Sequence, residues 1–289
     1  MYKASRDKNG SLRSVSGVVP VYGSNTNGSS SYWDYDTQGN LLVGQPQSTQ
    51  SMNRSMLDLS NLAKCRGAGY QLVDYEMHKD IANLWMAIYG RRNSQAVNGS
   101  GVNAGTATGG SNTVTISGET FKSPLRESYG NQRPRTLGLE DWAYNGREWM
   151  DHVMVNVTSM AAWRRNLRAN KPNGAAPSGS RVDHVWHVEM PDGTEREVQG
   201  VSGSTEICRV RHGRYCDVVP SKLVTNSSWD TYYCDQQEYN ASTCRVVARS
   251  GVNIANYGFV NVFAYYDSSN ASNYIGSRIA FRGVLEIVE

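Results

Sequence analysis

The sequence predicts a mixed α+β fold with much irregular loop, on three observations. Apolar residues recur at helical spacing over Tyr75–Tyr89, and apolar–polar alternation marks strands near residues 182–198 and 259–266. The composition, with 28 Gly, 17 Tyr, 7 Trp and only 4 Phe in 289 residues, suits a loop-rich chain with half-buried aromatics. The length allows one large domain or two small ones. A formal charge of +3 with 19% charged residues gives no overall basic or acidic excess, so the expectation is no nucleic-acid partner. The N-terminus has no apolar signal core and no apolar run reaches 18 residues, so neither a secretory signal nor a membrane span is expected.

In chain order, residues 1–50 are rich in Gly, Ser, Asn, Thr and Gln and read as an extended arm with little core of its own. Two readings stay open for it, a floppy terminus or an arm docking on a neighbouring subunit. Residues 51–289 form the second region. A short helix is expected over Met56–Ala63, then a clear one over Tyr75–Tyr89, with Asp74 as N-cap and Gly90 closing the C-terminus. Met77, Ile81, Leu84, Trp85 and Ile88 are expected to form its core face. Residues 98–118 read as a loop with a short strand at Thr113–Ile116. Val182–Met190, the turn Pro191-Asp192-Gly193 and Thr194–Val198 read as a hairpin. Arg278–Phe281 and Val284–Val288 read as a closing strand pair of the same sheet as 259–266.

The stretch between Arg249 and Arg278 has no Lys, Arg or Pro and a single acid, Asp267, amid Asn, Ser, Tyr, Gly and Ala. That palette serves recognition surfaces: Tyr supplies contact area with few rotors, while Ser, Gly and Asn supply adaptable hydrogen bonding. If Phe259–Tyr266 is a strand, Val260, Val262, Ala264 and Tyr266 take one face, suited to a core. Phe259, Asn261, Phe263 and Tyr265 take the other, a combination that reads as a displayed binding face. Burial of Phe259, Phe263 and Tyr265 together would end that reading.

No catalytic motif emerges. His184 and His187, three apart on a strand, point to opposite faces and are expected to be structural rather than metal ligands. Neither Cys208/Cys216 nor Cys234/Cys244 has zinc-knuckle spacing; a disulfide within either pair stays open if the protein meets an oxidant. The acids Glu140, Asp141, Glu148 and Asp151 lie near Trp142 and Trp149, and a glycosidase role would require a cleft between a pair of them. No metal or cofactor is expected.

Three segments carry a family resemblance. Leu137-Gly-Leu-Glu-Asp-Trp-Ala-Tyr-Asn-Gly-Arg-Glu-Trp-Met-Asp151 resembles the G-(I/L)-x-(D/N)-x-x-G-N-x-x-E-W-x-D signature of the C-type lectin fold of the formylglycine-generating-enzyme type. Arg245-Val-Val-Ala-Arg-Ser-Gly251 resembles its R-V-x-R-G-G strand entry, with Ser250 where Gly is usual, and Ile275-Gly-Ser-Arg-Ile-Ala-Phe-Arg282 resembles its closure. The order of these segments is similar to that of the variable proteins of diversity-generating retroelements, among them phage tail receptor-binding proteins and surface proteins of gut bacteria. Ala87–Gln95, at the end of the second helix, also looks like that gut group, and the resemblance covers residues 52–289.

The resemblance implies a C-type lectin fold with two N-terminal helices, small twisted antiparallel sheets and a variable segment at about 245–283. It implies a non-enzymatic receptor-binding protein of a phage tail or, alternatively, a bacterial surface adhesin, which would bring an export signal. Its partner would be a bacterial surface protein or glycan, with a homo-oligomer or another tail protein held through residues 1–50. Adenine-directed mutagenesis of Asn codons reaches the residue types found at Asn253, Ile254, Ala255, Asn256, Tyr257, Phe259, Asn261, Phe263, Tyr265 and Tyr266. Asn270, Asn273 and Tyr274 extend the implied ligand-binding set, and Trp229, Asp230, Tyr232 and Tyr233 flank it. An oxidase of the formylglycine-generating type is the less favoured alternative, because that family holds copper with a cysteine pair after the R-V-x-R-G-G entry and Arg245–Glu289 contains no cysteine.

Overall fold

The computed structural model describes residues 4–7, 12–14, 32–35, 41–44, 55–94, 114–116, 119–121, 135–137, 139–140, 142, 146–157, 184–225, 233, 235–240, 245–251, 257–267, 270, 272 and 275–283. Within them the chain runs β1 (Ala4–Asp7), β2 (Leu12–Ser14), β3 (Tyr32–Tyr35), β4 (Leu41–Gly44), α1 (Met56–Lys64), β5 (Tyr70–Leu72) and α2 (Tyr75–Tyr89). There follow β6 (Val114–Ile116), β7 (Glu119–Phe121), β8 (Arg135–Thr136), β9 (Leu139–Glu140), β10 (Arg147–Val155), β11 (Val185–Glu189), β12 (Glu195–Gln199) and β13 (Glu206–Arg211). The last elements are β14 (Val219–Val224), β15 (Gln237–Tyr239), β16 (Arg245–Arg249), β17 (Val262–Ala264), β18 (Ile275–Gly276) and β19 (Ile279–Phe281). Among the described residues the fold is α+β: two helices, a seven-strand mixed sheet, a four-stranded sheet of β1–β4 and small two-stranded antiparallel sheets.

Local chemistry sets both helices. Ser55 and Asp58 form a reciprocal capping box on α1, each side chain accepting from the other residue's backbone N–H. Asp74 Oδ1 accepts from Met77 N at 2.9 Å to cap α2, and Gly90 ends it at φ 62, where a side chain would be strained. The turn at Gly193 (φ 82) joins β11 to β12, as the Pro-Asp-Gly sequence anticipates.

The large sheet has the order β12-β11-β10-β16-β17-β15, with β18 pairing β10 in parallel. Both faces are covered. On one lie α2 and Trp85, Trp186, Met150, Val247, Val260 and Val262; on the other lie α1 and Trp149, Met154, Val246, Phe263 and Ile279. Consequently β10 and β16 are buried along nearly their whole length rather than at alternate residues, and the charged members Arg147, Glu148, Asp151, Arg245 and Arg249 are buried with the apolar ones. A bulge between Trp149 and Met154, with His152 at φ 60, lets β10 change register against β16.

Several expectations are corrected. α2 buries Tyr75, His78, Lys79, Ala82 and Trp85, whereas Leu84 (51%) and Ile88 (55%) are exposed. The helix is rotated toward its charges because Arg196 reaches across to Glu76 and Lys79 pairs with Glu76 at 2.6 Å. An apolar count cannot register polar groups that are buried because they are paired. β19 does not close the large sheet; it pairs with β5 in a separate two-stranded sheet, while 284–288 lie outside the described residues.

At the N-terminus, Ala4 and Leu12 are fully buried in the same apolar cluster as α1, and Ala4 N donates to Ser277 O at 2.9 Å. These two residues of the 1–50 region thus pack with the core. His184 precedes β11 at φ 61 rather than lying on the strand. Cys65, Cys208 and Cys216 are free thiols, which removes the Cys208–Cys216 bridge. Among the described residues no helix is long and apolar enough to cross a membrane.

Candidate ligand-binding surface

The segment leading into β17 is built around a buried carboxylate. Asp235 accepts from Val260 N at 2.7 Å, and the backbone N–H groups of Gly258 and Asn261 also point at it. Burial pushes its carboxyl up to about 8, against these donors and the nearby Arg249. Ser94 Oγ accepts from Phe259 N at 3.1 Å, so the segment that follows α2 pins the same turn. A Cβ on Gly258 would collide with Ser94 Oγ and Asp235 Oδ1, leaving glycine as the residue that fits. The turn at 258–260 restricts β17 to Val262–Ala264, paired antiparallel with β16 and parallel with β15.

That shorter strand changes the proposed display face. Phe259 (3%), Asn261 (0%) and Phe263 (3%) are buried, not displayed, and so is Tyr257 (5%). Phe259 stacks on Trp85 with centroids 4.9 Å apart, and Asn261 Nδ2 donates to Gln236 O at 2.6 Å. Burying each Phe contributes roughly 2–3 kcal/mol, and with a second layer over the sheet both faces of β17 are interior. Tyr257, an expected ligand contact, donates to Glu238 Oε1 at 2.5 Å, and Arg147 binds the same oxygen at 2.7 Å. Burial first, then the bond to Glu238, pushes the Tyr257 hydroxyl up to about 12, while Arg147 opposes the shift.

Tyr265 is exposed at 47%, and Tyr266 and Asn270 are half-buried. Tyr265 and Tyr266 stand nearly perpendicular (89°, centroids 5.4 Å), and both rings touch Phe263 at 6.0 and 5.2 Å. The Arg147 guanidinium lies 3.7 Å from the Phe263 centroid. The result is a rim of two tyrosines on a fixed aromatic and ion-paired floor. Asn253, Ile254, Asn256, Asn273, Tyr274, Trp229 and Tyr232 lie outside the described residues, as do Ala255 and Asp230. Tyr233, the expected flank, is buried beside His212 and Arg92.

Sequence reasoning missed Arg147, Glu238, Asp235 and Ser94, all of which support this surface through contacts between distant segments. Of the candidate acids, Glu148 pairs with Arg278 and Asp151 accepts from Ser60 Oγ at 2.8 Å, while Asp141 and the side chain of Glu140 lie outside the described residues. His187 Nδ1 meets Glu195, and among the described residues no group of three His, Cys, Asp or Glu is placed to hold a metal. No protein-family model matches the chain, and no curated protein matches it.

Proposed function

We propose that the protein is a non-enzymatic ligand-binding protein of the C-type lectin fold, of the kind varied by diversity-generating retroelements. It would serve at a phage tail or bacterial surface, where it binds a surface protein or glycan. The observation that carries this reading is Tyr265, an exposed aromatic held on a preorganised floor of Phe263, Tyr266 and Arg147. Aromatic anchors of this sort concentrate binding energy, and a fixed support lowers the entropy lost on binding. The C-type lectin part of the reading is supported by the meeting of the three resembling segments. Glu148 of the central one pairs across β10 with Arg249 and Gly276 of the others and ion-pairs with Arg278.

The burial of Phe259, Asn261 and Phe263 narrows the binding surface to Tyr265, Tyr266 and Asn270 among the described residues. The expected result for Tyr265→Ala is a loss of about tenfold or more in binding to intact bacterial cells that capture the wild-type chain. Its thermal midpoint stays within about 1 °C of wild type, because the ring is half exposed. Flow cytometry with labelled protein on a panel of bacteria measures this, and wild-type capture by Tyr265→Ala would remove the surface from the proposal. The gene neighbourhood tests the variation separately: a template repeat differing only at adenines, next to a reverse transcriptase, is expected.

A further inference from the structure

The +3 charge of the whole chain hides a local concentration. On the β13–β14 hairpin, Arg209, Arg211, Arg214 and Lys222 are all exposed, and none of them forms an ion pair among the described residues. The register sets Arg209 directly opposite Lys222, a like-charge cross-strand pair that destabilises the free hairpin. The 206–224 segment carries two acids, Glu206 at the open end of the hairpin opposite Val224, and Asp217, which is taken: Arg196 binds both its oxygens at 2.6 and 2.7 Å, and Tyr75 donates to it at 2.8 Å. Arg211 Nε donates to Gln199 O at 3.0 Å, which fixes the side chain without neutralising it. Arg209 and Arg211 are separated by about 7 Å along the strand, a spacing suited to successive anions on a chain rather than to one small ion.

We propose that this hairpin is a docking surface for an anionic polysaccharide bearing repeated phosphate or carboxylate groups. Arginine forks bind either group bidentately, and such a partner relieves the Arg209–Lys222 repulsion. A nucleic acid fits less well. Single-stranded binding relies on aromatic rings open for base stacking, and the exposed ring here, Tyr215, is already approached by the Arg196 and Arg214 guanidinium groups at 4.7 and 5.7 Å. The hairpin is a two-stranded sheet of its own rather than part of the strand that leads to Tyr265, and its charge variants leave Tyr265 unaltered, so its test is distinct from that of the ligand reading above.

The test titrates labelled full-length chain with polygalacturonate, phosphomannan, neutral dextran and oligo(dT) over a range of salt. The expected result is binding to at least one of the two charged polysaccharides, at least about tenfold tighter than to dextran and weakening steeply with salt. Arg209→Gln with Arg211→Gln lowers that affinity about tenfold or more, and Tyr265→Ala leaves it unchanged. Lys222→Glu turns the repulsive pair into an attractive one, so binding falls while the thermal midpoint holds or rises, which separates lost docking from lost fold. Preference for one polymer names carboxylate or phosphate as the anion. Equal affinity for dextran, tighter binding of oligo(dT), or wild-type affinity in the charge variants overturns the proposal.

Discussion

Replacing Arg278 with Met will cost about 3–5 kcal/mol of folding stability, because it takes a buried counter-charge away from the buried Glu148. Arg278 is fully buried and Glu148 nearly so; Nη2 donates to Oε1 at 2.9 Å and Nε to the same oxygen at 3.2 Å. The pair sits where β18 joins β10 in parallel, and Arg278 O accepts from Val73 N, tying the closing segment to the start of α2. Glu148→Leu alone is expected to be similarly costly, since it removes the carboxylate that the buried guanidinium contacts through both Nε and Nη2. Combining the two should recover much of the loss, because two apolar side chains leave no buried charge. Urea unfolding measures all three: the midpoint should fall in each single variant with an unchanged slope. A single-variant cost below about 1 kcal/mol would mean the pair is far better solvated than its burial indicates.

How far the sequence disclosed the fold depended on where the deciding interactions lie. α2 was legible at both ends because Asp74 and Gly90 act within a few residues of themselves. The β11–β12 hairpin was legible for the same reason, its turn chemistry being contiguous. The binding face was read too broadly. Alternation in 259–266 separates two sides of a strand, but it cannot tell whether the second side meets water or a second layer. The 258–260 turn instead carries Phe259 to the α2 face beside Val260 and Val262, where Trp85, more than 170 positions earlier in the chain, covers it, and on the other face Arg147 covers Phe263. Tyr265 escapes because it lies one residue beyond β17, where the sheet no longer confines it. The cross-chain supports Ser94, Asp235 and Glu238 have no local signature at all, since each acts only through residues distant in sequence.

Asp235 carries the second large expectation, one that joins the fold to the binding surface. Asp235→Ala removes the acceptor shared by the backbone N–H groups of Gly258, Val260 and Asn261. Leaving such buried donors unpaired costs about 1–3 kcal/mol each, so a total loss of about 3 kcal/mol or more is expected, along with weakened binding as β17 loses its entry turn. Asp235→Asn keeps the shape and the neutral state, which gives the pH test its sign. The folded carboxyl titrates at about 8 because burial outweighs its donors and Arg249, while the ordinary value is 3.8. Between those limits the folded state holds a proton that the unfolded chain has released. Its contribution to stability is therefore full below about pH 4 and declines until pH passes through about 8. Wild type should lose stability between pH 6 and about 8.5 relative to Asp235→Asn, whose amide does not titrate. Denaturation at matched pH values gives the difference directly. Parallel curves would show that the carboxyl is already ionised at neutral pH, leaving the backbone donors, not burial, as the dominant influence on this turn.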